Sequence, residues 1–219
     1  MDTGRIADLL APFLGGRSLS PKQVEHISIY IDILLRWNAR MNLTAVREPE
    51  EIVTRHFGES LFAARLLFPA VCGTGSSPRP QTHVVDVGSG AGFPGMPIKI
   101  WEPDVRVTLI ESNYKKATFL KEVARSLELS SVDVFQRRAE EFPGGSADVV
   151  TLRAVEKFET ALPAAAKLVT SSGRLAMLIG ESQSSRAKEL LPGMGWEPVA
   201  VVPNSTSRIV MIGVREPGK

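Results

Sequence analysis

From residue 82 onward the chain alternates short runs of β-branched residues with amphipathic stretches, a rhythm that leaves few folds open. "THVVDV" (82–87), "VRVTLIE" (105–111), "VDVF" (132–135), "ADVVTLR" (147–153) and "GRLAMLIG" (173–180) read as buried strands. Helices are expected near 94–101, over 114–129 and near 155–169. Strands that alternate with helices form a parallel sheet covered on both faces. The ending differs. "WEPVAVV" (196–202) and "SRIVMIGV" (207–214) are separated only by "PNST", too short for a helical crossover, so they pair as an antiparallel hairpin. The expected fold is α/β, a mostly parallel seven-stranded sheet with an antiparallel C-terminal strand.

What precedes the sheet reads as an N-terminal helical extension over residues 1–70. Ser20 can cap a helix whose first position suits Pro21, and Val24, Ile27, Ile31, Leu34 and Leu35 then recur on one face. A second helix starts from Pro49, with acids in its first turn. The Gly, Ser and Pro-rich segment 71–81 reads as a linker to a domain spanning 82–219.

Composition excludes more than it proposes. The net charge is +2, with no basic tail, so a polyanion would have to meet a local patch of Lys and Arg. The single cysteine, Cys72, rules out an internal disulfide and a cysteine-based zinc site, and three scattered histidines offer no metal ligand set. The N-terminus lacks the basic start and apolar block of a signal peptide, and no apolar run approaches the about 20 residues that span a bilayer. A soluble cytoplasmic protein with no membrane partner is expected.

The stretch "VVDVGSGAGFPG" (84–95) carries the chemistry. A glycine turn between strand and helix is a nucleotide-site signal in that context. Gly88, Gly90 and Gly92 follow Asp86, but Phe93 stands where a dinucleotide fingerprint needs glycine, and Pro94 removes an amide that a pyrophosphate would use. Glu111, at the end of the second strand, is placed to accept from a ribose diol. Ala139 and Glu140, in "RRAEEF", fall where a loop can edge along an adenine ring. These features suit an adenosine cofactor without phosphates, S-adenosylmethionine, and a sheet closed by an antiparallel strand is the usual shape of Rossmann-like methyltransferases. An NAD-dependent oxidoreductase and a non-catalytic binding module remain as alternatives.

Arg153 ends the fourth strand at the rim of the expected crevice, where it can anchor a cofactor carboxylate or contact a nucleic-acid acceptor. No N-P-P-Y-type motif follows that strand, and no cysteine nucleophile lies within the sheet. An acceptor with a free lone pair, such as guanine N7, needs neither. His56, on the second helix, can reach the crevice, but a helix histidine is more often structural or exposed; Trp37 and Phe57 read as packing residues. Lys115, Lys116, Lys121 and Arg125 share one helix and read either as a solvated face or, with Arg137 and Arg138, as a phosphate-binding patch.

"RWNARMNLTAVREPEEIVTRHFGESL", "VVDVGSGAGFPGMPIKI", "LIESNYKKATFLKEVARSLEL", "RRAEEF" and "LRAV" together resemble the small-subunit ribosomal RNA methyltransferase G family, from about residue 30 to the C-terminal "SRIVMIGVR". The resemblance implies a Rossmann-like class I methyltransferase that methylates N7 of one guanine in 16S ribosomal RNA of the small subunit, with S-adenosylmethionine as donor. It implies cofactor contacts at Gly88, Phe93, Ala139, Glu140 and Arg153, with Arg153 the expected catalytic residue and Glu111 at the ribose position. Leu152 departs from the family, which commonly carries Ser there. A monomer is expected.

Overall fold

The computed structural model describes residues 1–69, 81–155 and 157–215. Five parallel strands, β1 (His83–Val87), β2 (Arg106–Ile110), β3 (Val132–Phe135), β4 (Ala147–Arg153) and β5 (Val169–Gly180), form the main sheet. Two short pieces, β6 (Met194–Trp196) and β7 (Ala200–Val201), pair antiparallel with β8 (Arg208–Arg215), which also pairs antiparallel with β5. The spatial order is β3-β2-β1-β4-β5-β8-β6. The parallel sheet with its antiparallel C-terminal strand is thus as expected, but among the described residues it has eight strands rather than seven. The expected strand 196–202 contains Pro198, which has no N–H for a ladder, and the chain pairs only on either side of it.

Helices cover both faces because strand residues alternate between them. Val84, Leu109, Val149 and Ile212 face one core, shared with α1 (Thr3–Leu14), α2 (Pro21–Asn38), α4 (Glu59–Leu67), α5 (Gly95–Trp101) and α6 (Tyr114–Ser126). Val85, Val150, Leu152 and Met177 face the other, under α7 (Phe158–Leu168) and α8 (Ser184–Leu190). Ser20 caps α2 in a reciprocal box with Gln23. The helix from Pro49 is one run of three parts: α3 (Pro49–Glu51), a π-helical segment Ile52–Gly58, and α4. Boundaries shift elsewhere: α6 stops at Ser126, α7 begins at Phe158 and β5 begins at Val169. The expected linker, Gln81 apart, and Cys72 lie outside the described residues. No helix among them is long and apolar enough to cross a membrane.

The order of the strands fixes where a site can form. From β1 the chain steps outward through β2 and β3, then returns to β4 on the other side of β1. The loops after β1 and β4 therefore leave in opposite directions, and a crevice opens above the C-terminal ends of those strands.

Candidate active site

The loop after β1 forms the floor. Gly88, Gly90 and Gly92 all have positive φ, at 67°, 55° and 86°. At Gly92 a Cβ would collide with the Tyr30 hydroxyl, which donates to the Ala91 carbonyl at 2.6 Å. The N-terminal helix α2 thus braces the loop from behind. Gly95 serves a separate need, since a Cβ there would lie 2.8 Å from that of Asp86, so α5 packs directly on the sheet. Glu111 ties the two strand ends together. Its Oε2 accepts from the Gly90 N–H at 2.9 Å and its Oε1 from the Asn113 N–H at 2.8 Å.

Asp86 lies fully buried beneath this floor. The Thr151 hydroxyl donates to its Oδ1 at 2.7 Å, and Oδ2 has no partner. Burial raises its pKa to about 6, against the opposing hydrogen bond from Thr151.

Arg153 forms the opposite wall, with 7% of its side chain exposed. Its Nη2 donates to the Arg55 carbonyl at 2.8 Å and to His56 Nδ1 at 2.9 Å, and lies 3.2 Å from Glu59 Oε2. Glu59 Oε1 in turn stands 4.0 Å from Arg208 Nε. Burial lowers the guanidinium pKa to about 10, opposed by Glu59, so the group stays charged at neutral pH. Its Nη1 is buried without a partner. His56 has its pKa lowered to about 3, first by burial and then by the charge of Arg153. The ring is neutral; Nδ1 accepts from Arg153, so Nε2 carries the proton and donates to Thr44 Oγ1 at 2.7 Å. Asn38 holds that loop by accepting from the Leu43 and Thr44 N–H groups. Phe93 stacks on Tyr30, with centroids 5.5 Å apart and planes at 6°, and meets His56 at 4.9 Å.

Gly88, Gly90, Phe93, Glu111 and Arg153 line one crevice of about 680 Å³. Asp86 and Gly92 sit below its floor. Ala139 and Glu140 lie on a 3₁₀ turn after β3 and are not on the lining; Ala139 packs into the core under α7, and Glu140 is exposed. Sequence reasoning set His56 aside, yet the structure puts it in the crevice wall. It also missed Thr44, Glu59 and Arg208. A usable signal lies in "RHFGES", where His56 and Glu59, three apart and so on one helical face, interrupt the otherwise apolar series Val53, Phe57 and Leu61. Trp37 and Phe57 are packing residues as expected: Phe57 is fully buried, and Trp37 meets Phe119 edge-on at 5.7 Å. Among the described residues no group of three or more His, Asp or Glu side chains is arranged to hold a metal.

The volume lies within the range of about 300–1,000 Å³ usual for small-molecule sites. Each Glu111 oxygen accepts one N–H and retains acceptor capacity for a diol, while Arg153 offers an unused donor on a buried cation. The cleft thus presents a carboxylate with free acceptor capacity on one side and a guanidinium with a free donor on the other. S-adenosylmethionine fits that donor and acceptor set.

The strand order and this crevice define a Rossmann-like methyltransferase. Solved structures agree on the fold: a ribosomal protein L11 methylase from Lactobacillus delbrueckii subsp. bulgaricus superposes with a TM-score of 0.58 at 12% identity, covering 74% of this chain and 79% of that one. A SAM-dependent methyltransferase from Aquifex aeolicus gives a TM-score of 0.51 at 16% identity, over 61% and 81%. The family model for rRNA small subunit methyltransferase G matches residues 23–195. The ribosomal RNA small subunit methyltransferase G of Halorhodospira halophila is 39% identical over 172 residues, 78% of this chain and 77% of the relative. That of Bacillus subtilis is 34% identical over 191 residues, 83% and 76%. The chain belongs to the rRNA small subunit methyltransferase G family and is an S-adenosylmethionine-dependent methyltransferase. The oxidoreductase and non-catalytic alternatives end there.

Proposed function

We propose that the chain methylates N7 of one guanine in 16S ribosomal RNA of the small subunit, as a cytoplasmic monomer with no membrane partner. The observation that carries the site assignment is the buried, partnerless Nη1 of Arg153 on the wall of a crevice whose far side presents Glu111. In this reading Glu111 holds the ribose diol and Arg153 the amino-acid carboxylate of the cofactor. Gly88, Gly90 and Phe93 shape the floor over Asp86 and Gly92, and Ala139 and Glu140 edge the base. Residues 1–70 act as a helical extension to the 82–219 domain.

When bound, the cofactor supplies an electrophilic methyl group. Guanine N7 meets it with a free lone pair and loses no proton, so the chain needs no general base. What the residues provide is proximity and a fixed charge pattern. His56 suits that role: at neutral pH it is an uncharged acceptor that orients Arg153, and it adds no positive charge beside a cationic donor. His56 and Glu59 are positioning residues, whereas Arg153 touches the cofactor. Incubation with tritiated S-adenosylmethionine and 30S subunits from a strain lacking this enzyme tests the reading. Label recovered as 7-methylguanine at one site is expected; label at another atom, or none, contradicts it.

A further inference from the structure

A second concavity, of about 600 Å³, lies between the C-terminal end of α2 and α6. Arg36, Arg40 and Lys115 line it, with half-buried Trp37. Its one acid, Glu122, accepts from Trp37 Nε1 at 3.1 Å. The three cations are exposed, and among the described residues none of them is in an ion pair. Four other exposed arginines are neutralised, whereas Arg17, Arg47, Arg106, Arg125 and Arg138 are likewise in no ion pair among the described residues but line no such groove. Arg5 pairs with Glu50 at 2.8 Å, Arg55 with Glu51 at 2.7 Å, Arg137 with Glu141 at 3.4 Å and Arg186 with Glu159 at 2.6 Å.

The groove and the catalytic crevice share two walls. Residues 39–41 line the groove, and residues 43–46 of the same loop line the crevice. At the start of α6, Lys115 lines the groove and Lys116 the crevice. A chain with one nucleotide in the crevice therefore passes directly into a groove of unneutralised positive charge.

We propose that this groove binds the phosphate backbone of the RNA flanking the target nucleotide. The inference rests on the RNA-methylating function proposed above, and it divides the basic residues that the sequence left undecided. Lys115 works with Arg36 at the end of α2 and Arg40 in the turn after it, while Arg137 is held by Glu141. Each phosphate contact releases counterions, so its loss is read in the salt dependence of binding.

Two readouts on the full chain test this: filter binding of unmethylated small subunits across a KCl series, and methyl transfer to the same subunits. For the triple variant R36A/R40A/K115A, affinity for the subunits should fall at least tenfold. Its log–log salt slope should be shallower by about 2, from about 0.7 per single-strand contact. KM for the subunits should rise while kcat and calorimetric affinity for S-adenosylmethionine hold. The charge-keeping R36K/R40K/K115R should bind nearly as wild type, and so should Lys22→Ala, at the opposite end of α2. Unchanged affinity and slope in the triple variant overturn the groove assignment even if methyl transfer proceeds. Weakened binding by that variant, with no methyl transfer by wild type, supports the groove and removes the proposed function instead.

Discussion

His83, buried at one end of the sheet, and His56, half-buried on the π-helical segment over the other end, differ in their surroundings in one respect. His83 begins β1 at the N-terminal edge. Its Nδ1–H donates to the Ser146 carbonyl at 2.9 Å, its Nε2 accepts from the Thr108 hydroxyl at 2.9 Å, and its backbone N–H donates to Asp148 at 2.8 Å. Each of these polar atoms is matched within the chain. At the C-terminal edge His56 is matched too, but the groups around it are not: Arg153 Nη1 and Asp86 Oδ2 are buried without partners. Buried polar atoms are nearly always paired, and these two exceptions meet at one crevice, whereas the others recorded among the described residues, Arg65 Nε, Trp101 Nε1 and Thr170 Oγ1, lie apart from it. A buried histidine by itself marks nothing.

The largest expected separation of the two edges comes from Arg153→Ala. Loss of a preorganised charged donor should lower kcat/KM by about 100-fold or more, read as initial rates on 30S subunits. Arg153→Lys should not restore the rate, because a single ammonium nitrogen cannot take the place of Nη2 against Arg55, His56 and Glu59 and also supply the second donor, Nη1. A rate within a few-fold of wild type would place Arg153 outside the site.

Acid titration of stability probes the crevice edge next. Burial favours the neutral form of Asp86, so the folded chain holds this proton more tightly than the unfolded one. The stability so gained is fully present below about pH 4 and is lost as pH rises through about 6, a difference of about 3 kcal/mol at about 1.4 kcal/mol per unit. His56 works in the opposite sense: its depressed pKa means stability is lost as pH falls below about 6.5, where the unfolded ring gains a proton. Chemical denaturation across pH 4–7 should show the Asp86 contribution vanish in Asp86→Asn and the His56 contribution vanish in His56→Gln. If neither variant alters the pH profile, the two groups are not buried as described.

At the other edge, His83→Ala should leave the Ser146 carbonyl and Thr108 hydroxyl unmatched and cost about 2 kcal/mol of folding stability. Its kcat at a temperature where it is folded should equal that of wild type. The smallest effect belongs to Glu140→Ala. An exposed side chain outside the crevice lining should change KM for S-adenosylmethionine by no more than about threefold, near 0.6 kcal/mol. A tenfold rise would show that the Glu140 side chain, and not only the backbone of its turn, edges the base.

The sheet is legible in the sequence because its strands are buried on both faces and so appear as continuous apolar runs. Where that pressure lapses, legibility lapses too. Pro198 splits the expected strand at 196–202, and α8 buries only Ala187, so it carries no apolar stripe to find. In the site, the residues on the loop after β1 and at the ends of β2 and β4 are legible because topology fixes where strand ends meet. His56, Thr44 and Glu59 are not, because their meaning lies in Arg153, which is 97 residues from His56 in sequence. The π-helical segment Ile52–Gly58, whose Arg55 carbonyl receives Arg153, is not distinguished as π in the sequence, because the apolar series Val53, Phe57 and Leu61 reads as ordinary helix.

The central claim is that the unpartnered Arg153 Nη1 at the C-terminal edge serves the methyl donor, whereas the fully matched His83 at the other edge serves only the fold. Titration calorimetry of S-adenosylmethionine against wild type, Arg153→Ala and His83→Ala, all at a temperature where each is folded, tests it directly. The expected result is an affinity at least tenfold weaker for Arg153→Ala and unchanged for His83→Ala. Equal affinities for wild type and Arg153→Ala, or a loss confined to His83→Ala, would contradict it.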